Sequence, residues 1–307
     1  MEKSNGTKMK NHWVVHWFLN DRDGIVFTDI EKFHLKIFEK YKYFILSNID
    51  KITISFAKTD KTNPLLIQYI EKTLAQMFYG KEIVFQIRNN IQRVGEFQTF
   101  RDDVLMNIGT NEKILYTHIK GSYRIKAEPR IMKGELLWIW NMYRVVFSKQ
   151  SIDSLDHFIM SGPDFSIYDT SFHTIKSKRW DPHLHILQTY LLPLKNKLDK
   201  VTKNQSLIKY VNAIDQFKIK KPWAYLGTFY WMNMDTLGSY LKSTGFSKND
   251  IISIVNEFQK YDRVNLPSSV TNLNGHKVQM SFANNVSEYF LPSIVDMKNC
   301  SFFKLKD

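Results

Sequence analysis

Four short apolar runs, separated by stretches of helical periodicity, leave this chain few folds to choose from. His12–Leu19 (HWVVHWFL), Lys51–Ala57 (KITISFA), Ile83–Ile87 (IVFQI) and Ile114–Tyr116 (ILY) are too brief for surface helices and rich in branched and aromatic residues, so they read as buried strands. Between the first two, Phe33, Ile37, Phe38, Tyr41, Phe44, Ile45 and Ile49 recur at the spacing of one amphipathic helix. Pro64 opens a second helix whose apolar positions Leu66, Ile67, Ile70, Leu74, Met77 and Phe78 share a face, ended by Gly80. Glu96 to Ile108 reads as a third, stopped at Gly109. Strands alternating with helices in this way predict an α/β fold with a doubly wound, mostly parallel sheet flanked by helices.

The rest of the chain continues the pattern less regularly. Ile131–Phe147 is predicted helical with aromatic bulk on nearly all faces, packed under the sheet's edge, and Ile152–Ile175 reads as loops with short strands. Residues His183–Leu192 and Leu198–Phe217 read as helices, Trp223–Asn233 as a strand bending at Gly227, and Asp235–Leu241 and Lys248–Tyr261 as helices. At 307 residues, with 43% hydrophobic side chains, there is enough apolar surface for one large domain or one with a smaller lobe.

Charge limits the partners. A formal net charge of +13 calls for partners carrying negative charge: nucleic acid, an anionic membrane face or phosphorylated small molecules. The basic residues are dispersed, so a general basic surface and a dedicated groove are both open readings. One cysteine, Cys300, excludes an internal disulfide and fits a reducing compartment. The polar stretch Met1–Lys10 and the lack of any long apolar window predict a soluble, cytoplasmic protein. No GxGxxG follows the first strand and no GxxxxGK[ST] or GxSxG occurs, so dinucleotide, P-loop and serine-hydrolase chemistry find no support.

The fourth strand breaks into Thr117-His118-Ile119-Lys120-Gly121, and the C-terminal end of a strand is where open α/β sheets bind ligands. Gly121 permits close backbone approach, and Lys120, Arg124, Lys126 and Arg130 follow with Glu128 opposing them. Such a loop suits a doubly charged phosphate linkage; a plain strand end with solvated lysines is the competing reading. Asn89 and Asn90 end the third strand, either to hydrogen-bond a uracil or ribose or to make a turn. Glu96 stands in the first turn of its helix, where a carboxylate is favourable, or orients the site. His183 and His185 lack a third ligand of convincing spacing for zinc, and His12 and His16 fit a strand pattern without a metal.

GEFQTF around Glu96, YTHIKG at Tyr116–Gly121, WIWNMYRVV at Trp138–Val146, LGTFYWMN at Leu226–Asn233 and SEYFLP at Ser287–Pro292 occur in this order. Their order and spacing resemble the glycosyltransferases of bacterial capsule and lipooligosaccharide clusters, sheet-based enzymes with a GT-A-like core. The resemblance implies transfer of a sugar from a nucleotide-diphosphate donor, a UDP-sugar foremost, to a growing glycan or lipid-linked glycan. Residues 11–150 would form the nucleotide-sugar half and 151–307 the acceptor-side extension of the same domain, with a helical insertion at 183–217. Asn89, Asn90, Glu96, His118, Lys120, Gly121, Arg124 and Arg130 would then meet the donor, and Gly227, Thr228, Tyr230 and Trp231 the acceptor. Glu288, late in the chain, would be the general base that takes the acceptor's proton, with Asp235 as the alternative.

One departure from the GT-A pattern matters. Where such enzymes carry Asp-x-Asp to hold a divalent metal on the diphosphate, this chain reads Thr117-His118-Ile119-Lys120. The reading is therefore a metal-independent clamp of Lys120 with Arg124 or Arg130, set against Mg or Mn as a cofactor. A basic surface would also favour peripheral contact with an anionic membrane face. The competing classes are a nucleic-acid-binding protein without enzymatic activity, its lysines on phosphates and its aromatics on bases, and an inactive scaffold of the same fold.

Overall fold

Along its first strand, β1 (Lys10–Asn20), the chain alternates two kinds of side chain. Trp13, Val15, Trp17 and Leu19 enter one hydrophobic core, while Val14, flanked by His12 and His16, faces another. This period of two divides the molecule into two layers about a sheet. The computed structural model describes residues 8–20, 22–90, 95–119, 129–163, 203–214, 229–261, 269–271, 277–279, 290–291 and 294–303.

β2 (Lys51–Lys58), β3 (Glu82–Asn89) and β4 (Glu112–His118) complete the predicted strand set. With β5 (Met160–Pro163), β6 (Tyr230–Asn233) and β9 (Cys300–Phe303) they form a seven-stranded sheet ordered β3-β2-β1-β4-β6-β5-β9. β6 is antiparallel to both neighbours and the other pairings are parallel. A separate antiparallel pair joins β7 (Ser269–Thr271) to β8 (Lys277–Gln279). The main sheet draws strands from both halves of the chain.

The strand order explains which helix covers which face. From β1 to β2 to β3 the chain steps steadily in one direction, and its helices α1 (Asp29–Lys40), α2 (Lys42–Asn48) and α3 (Pro64–Met77) all pack on the Trp13 side. β4 lies on the other side of β1, so the next crossover is reversed and, being right-handed, falls on the opposite face. There α4 (Gly95–Thr99) places Phe97 in the core around Val14 and Tyr116. α7 (Gln205–Ile214), α8 (Met234–Ser243) and α9 (Lys248–Tyr261) close that face.

Three helical expectations are corrected. The single helix expected around Phe33–Ile49 is two, α1 and α2, separated at Tyr41. The segment after α4 is not one α-helix: Phe100–Val104 widens to a π-helix and Leu105–Asn107 tightens to a 3-10 turn. The widened turn lets consecutive Asp102 and Asp103 both reach Arg88, which regular α spacing would turn apart. α5 (Pro129–Val146), expected at the sheet's edge, packs on its face together with the short α6 (Lys149–Asp153). Tyr143 meets Phe229 edge-on at 4.8 Å, and Phe147 meets Trp13 at 5.1 Å. Among the described residues no helix is long and apolar enough to cross a membrane.

Candidate functional site

The reversal of strand order between β1 and β4 creates a switch point, and at such points an open sheet leaves a crevice beyond its strand ends. Register brings a polar row to that end: His16 lies opposite His118 on one side and Ser55 on the other, and Ser55 lies opposite Gln86. Equivalent pleat positions on adjacent strands face the same way, so these four side chains share a face. It is the face α4 covers.

α4 contributes the partners. His16 Nδ1 lies 2.9 Å from Thr99 Oγ1, and the Thr99 hydroxyl donates to Ser55 Oγ at 2.9 Å. With that proton committed to Ser55, the Thr99 oxygen accepts from His16 Nδ1–H. Arg88 then closes the row, donating from Nε to Ser55 Oγ at 2.9 Å, to Asp102 at 2.8 Å, to Asp103 at 2.7 Å and to Gln86 at 2.6 Å. Burial holds the His16 imidazole down at about 4, with neighbouring His118 and Arg88 pushing the same way and Glu96 opposing. His16 is therefore neutral at physiological pH. Burial raises the Asp103 carboxyl, which hydrogen bonds from Arg88 and Ser55 and the Arg88 charge oppose.

At the end of the row, His118 Nδ1 faces Glu96 Oε1 at 3.6 Å, both side chains mostly buried. The Phe229 ring packs against the imidazole in a T-shaped arrangement, with centroids 5.6 Å apart. Thus two of the residues singled out in the sequence, Glu96 and His118, are brought together at the switch point. Asn89 is exposed at the end of β3, and Asn90 is buried beside it with its N–H donating to Lys58 O at 2.6 Å. Three strand spacings, about 14 Å, separate that end of the sheet from His118.

Other expectations fall elsewhere. Tyr230 and Trp231 are core side chains, 1% and 0% exposed, and Trp231 Nε1 donates to Val146 O at 2.7 Å, so neither offers a platform for an acceptor. Asp235 sits beyond the opposite strand ends of the sheet. Because β6 runs against β4, Asn233 pairs with Lys113, and about 17 Å of strand lie between Lys113 and His118. Arg130 belongs to α5. Lys120, Gly121, Arg124, Gly227, Thr228 and Glu288 lie outside the described residues.

A divalent metal of the Mg or Mn class needs several hard oxygen ligands. Glu96 supplies a carboxylate and His118 an imidazole, and among the described residues no cluster of three or more His, Cys, Asp or Glu side chains could hold an ion. Among the described residues, this donor set does not fit such an ion.

Sequence reading missed His16, Ser55, Thr99 and Arg88. The signal was there in part: Thr53 and Ser55, and Gln86 and Arg88, are two residues apart on their strands, and His12 and His16 are four apart with Val14 between them, so each set shares one face. Compared with models of known protein families and with curated proteins, the chain matches none.

Proposed function

We propose that the protein is a glycosyltransferase that moves a sugar from a nucleotide-diphosphate donor to a glycan, using the crevice between β1 and β4. The observation that carries this reading is the convergence of Glu96 and His118 at 3.6 Å on the C-terminal ends of parallel strands, at the point where strand order reverses. Those residues belong to two of the separated motifs, GEFQTF and YTHIKG, on which the resemblance to the capsule and lipooligosaccharide enzymes rests.

The geometry suits an extended donor. A nucleoside reaching toward Asn89 and Asn90 would run across the ends of β2 and β1, leaving its sugar diphosphate near His118. The basic residues Lys120, Arg124 and Arg130 follow His118 in the sequence and would neutralise the leaving diphosphate. A polar row anchored by Arg88 gives the site a rigid floor, which positioning of a donor requires.

The test is a thermal-shift screen of the full chain with UDP, GDP, CDP and their sugars. A ligand bound to the folded state at one hundred times its Kd stabilises by about 2.7 kcal/mol, a shift of several degrees. No shift with any of them at millimolar concentration, together with salt-sensitive binding of nucleic acid, would move the reading to a nucleic-acid-binding protein.

A further inference from the structure

We propose that His118, oriented by Glu96, is the group that takes the proton from the attacking acceptor hydroxyl. The inference rests on the glycosyl-transfer reading above and goes beyond it by assigning the base and the stereochemical course.

The two ring nitrogens of His118 have different surroundings. Nδ1 faces the Glu96 carboxylate at 3.6 Å. Nε2 is closed off from solvent and has no hydrogen-bond partner among the described residues. A buried polar atom left without a partner costs about 1–3 kcal/mol, and such orphans recur where a catalytic role or a bound group accounts for them. A neutral imidazole that directs Nδ1–H at a carboxylate carries its lone pair on Nε2, so the orphan atom is the basic one. At hydrogen-bond distance the carboxylate would fix that tautomer and stabilise the imidazolium once a proton arrives. A 3.6 Å separation is longer than a working hydrogen bond, as catalytic contacts often are before substrate binds.

The surroundings of the ring are consistent with a base. Glu96 approaches from α4, the neutral His16 lies beside it on β1, and the Phe229 ring packs on it from the start of β6. Arg88, the nearby cation on β3, is occupied by Asp102 and Asp103. Of the carboxylates suggested by the sequence, Asp235 is by the opposite strand ends from His118.

In the reaction, once Nε2 is uncovered to the acceptor, the acceptor oxygen forms its bond to the anomeric carbon while its proton passes to His118 Nε2. The bond from that carbon to the diphosphate oxygen breaks, and its electron pair leaves with the nucleoside diphosphate. The proton is then lost to solvent. One displacement of this kind inverts the anomeric configuration.

The experiment uses full-length H118N, H118Q and E96Q proteins, each checked for cooperative unfolding, with the nucleotide-sugar that gives the largest thermal shift. Donor turnover is followed with an acceptor glycan in excess. Both His118 variants should keep the nucleoside-diphosphate shift and a donor KM near wild type while losing about 10²–10⁴-fold in kcat. E96Q should retain part of the turnover, with kcat lowered and donor KM near wild type, the split that marks a positioning residue. If either His118 variant keeps kcat within about threefold of wild type, or E96Q raises donor KM without lowering kcat, the assignment of the base is overturned while donor binding stands. A wild-type protein that neither binds nor consumes any nucleotide-sugar would overturn the underlying reading instead.

Discussion

Arg22 and Glu31 meet at 2.5 Å within the protein, with the Glu31 side chain fully shielded from water. Glu31 also accepts from Trp17 Nε1 at 2.9 Å and from the Thr28 backbone N–H at 2.7 Å, and Arg22 reaches back to the Val26 carbonyl. The loop leaving β1 is thereby tied to the first turn of α1 by a capping box. Removing one partner leaves an uncompensated buried charge, so R22A or E31A should cost about 3–5 kcal/mol, read as a lower urea midpoint at unchanged m-value. The double variant R22M/E31L should recover only part of that loss, because Trp17 Nε1 and the Thr28 N–H then lose their acceptor.

His16 predicts a particular dependence of stability on pH. Its folded-state value, about 4, lies below the ordinary 6.5, so the unfolded chain binds the proton more tightly. The neutral imidazole's contribution is complete above pH 6.5 and is lost as pH falls toward 4, with an upper size of about 3 kcal/mol. Denaturant titrations at several pH values should show wild type losing stability over this window, and His16→Gln losing less. Parallel curves for the two proteins would contradict the burial effect.

Gly238 on α8 packs against the backbone of Gly109: a Cβ there would stand 2.7 Å from Gly109 Cα and 2.9 Å from its nitrogen. Gly109 cannot easily move, since it takes the left-handed conformation at φ +84 and its N–H donates to Met234 O at 2.8 Å. Gly238→Ala should therefore destabilise by about 1–3 kcal/mol despite the gain in helix propensity. A neutral or higher melting temperature would show that α8 can shift.

Trp231 and Asp235 separate a structural from a functional role near the GTFYWMN segment. Trp231→Ala opens a cavity in the core and should cost about 3–5 kcal/mol in chemical denaturation. Asp235→Asn removes a carboxylate from the first turn of α8, an effect of about 0.3–1 kcal/mol, and should leave nucleotide-dependent stabilisation and transfer unchanged. A large drop in kcat for the Asp235 variant would place the chemistry at the opposite strand ends of the sheet.

The element types and most of their positions were legible because strand and helix periodicities are local. HWVVHWFL, KITISFA and ILY declare their alternation within a few residues, and Pro64 and Gly80 bracket α3. The pairing of Glu96 with His118 was legible only as two separate candidates, since α4 and the end of β4 come together through the crossover between them. The row from His118 through His16 and Ser55 to Arg88 was visible as polar alternation in separate strands, but not as one network.

By itself, then, the sequence determined that alternating strands and helices would build an α/β sheet, and that the end of the fourth strand would carry polar and basic residues. Tertiary structure alone decided that β6 runs backwards between β4 and β5. That reversal puts Asp235 at the opposite strand end from His118, and the place of β6 inside the sheet, covered on both faces, makes Tyr230 and Trp231 core. The physical reason is that a strand's periodicity is written in neighbouring residues, whereas its direction and register depend on hydrogen-bond partners far away in the chain.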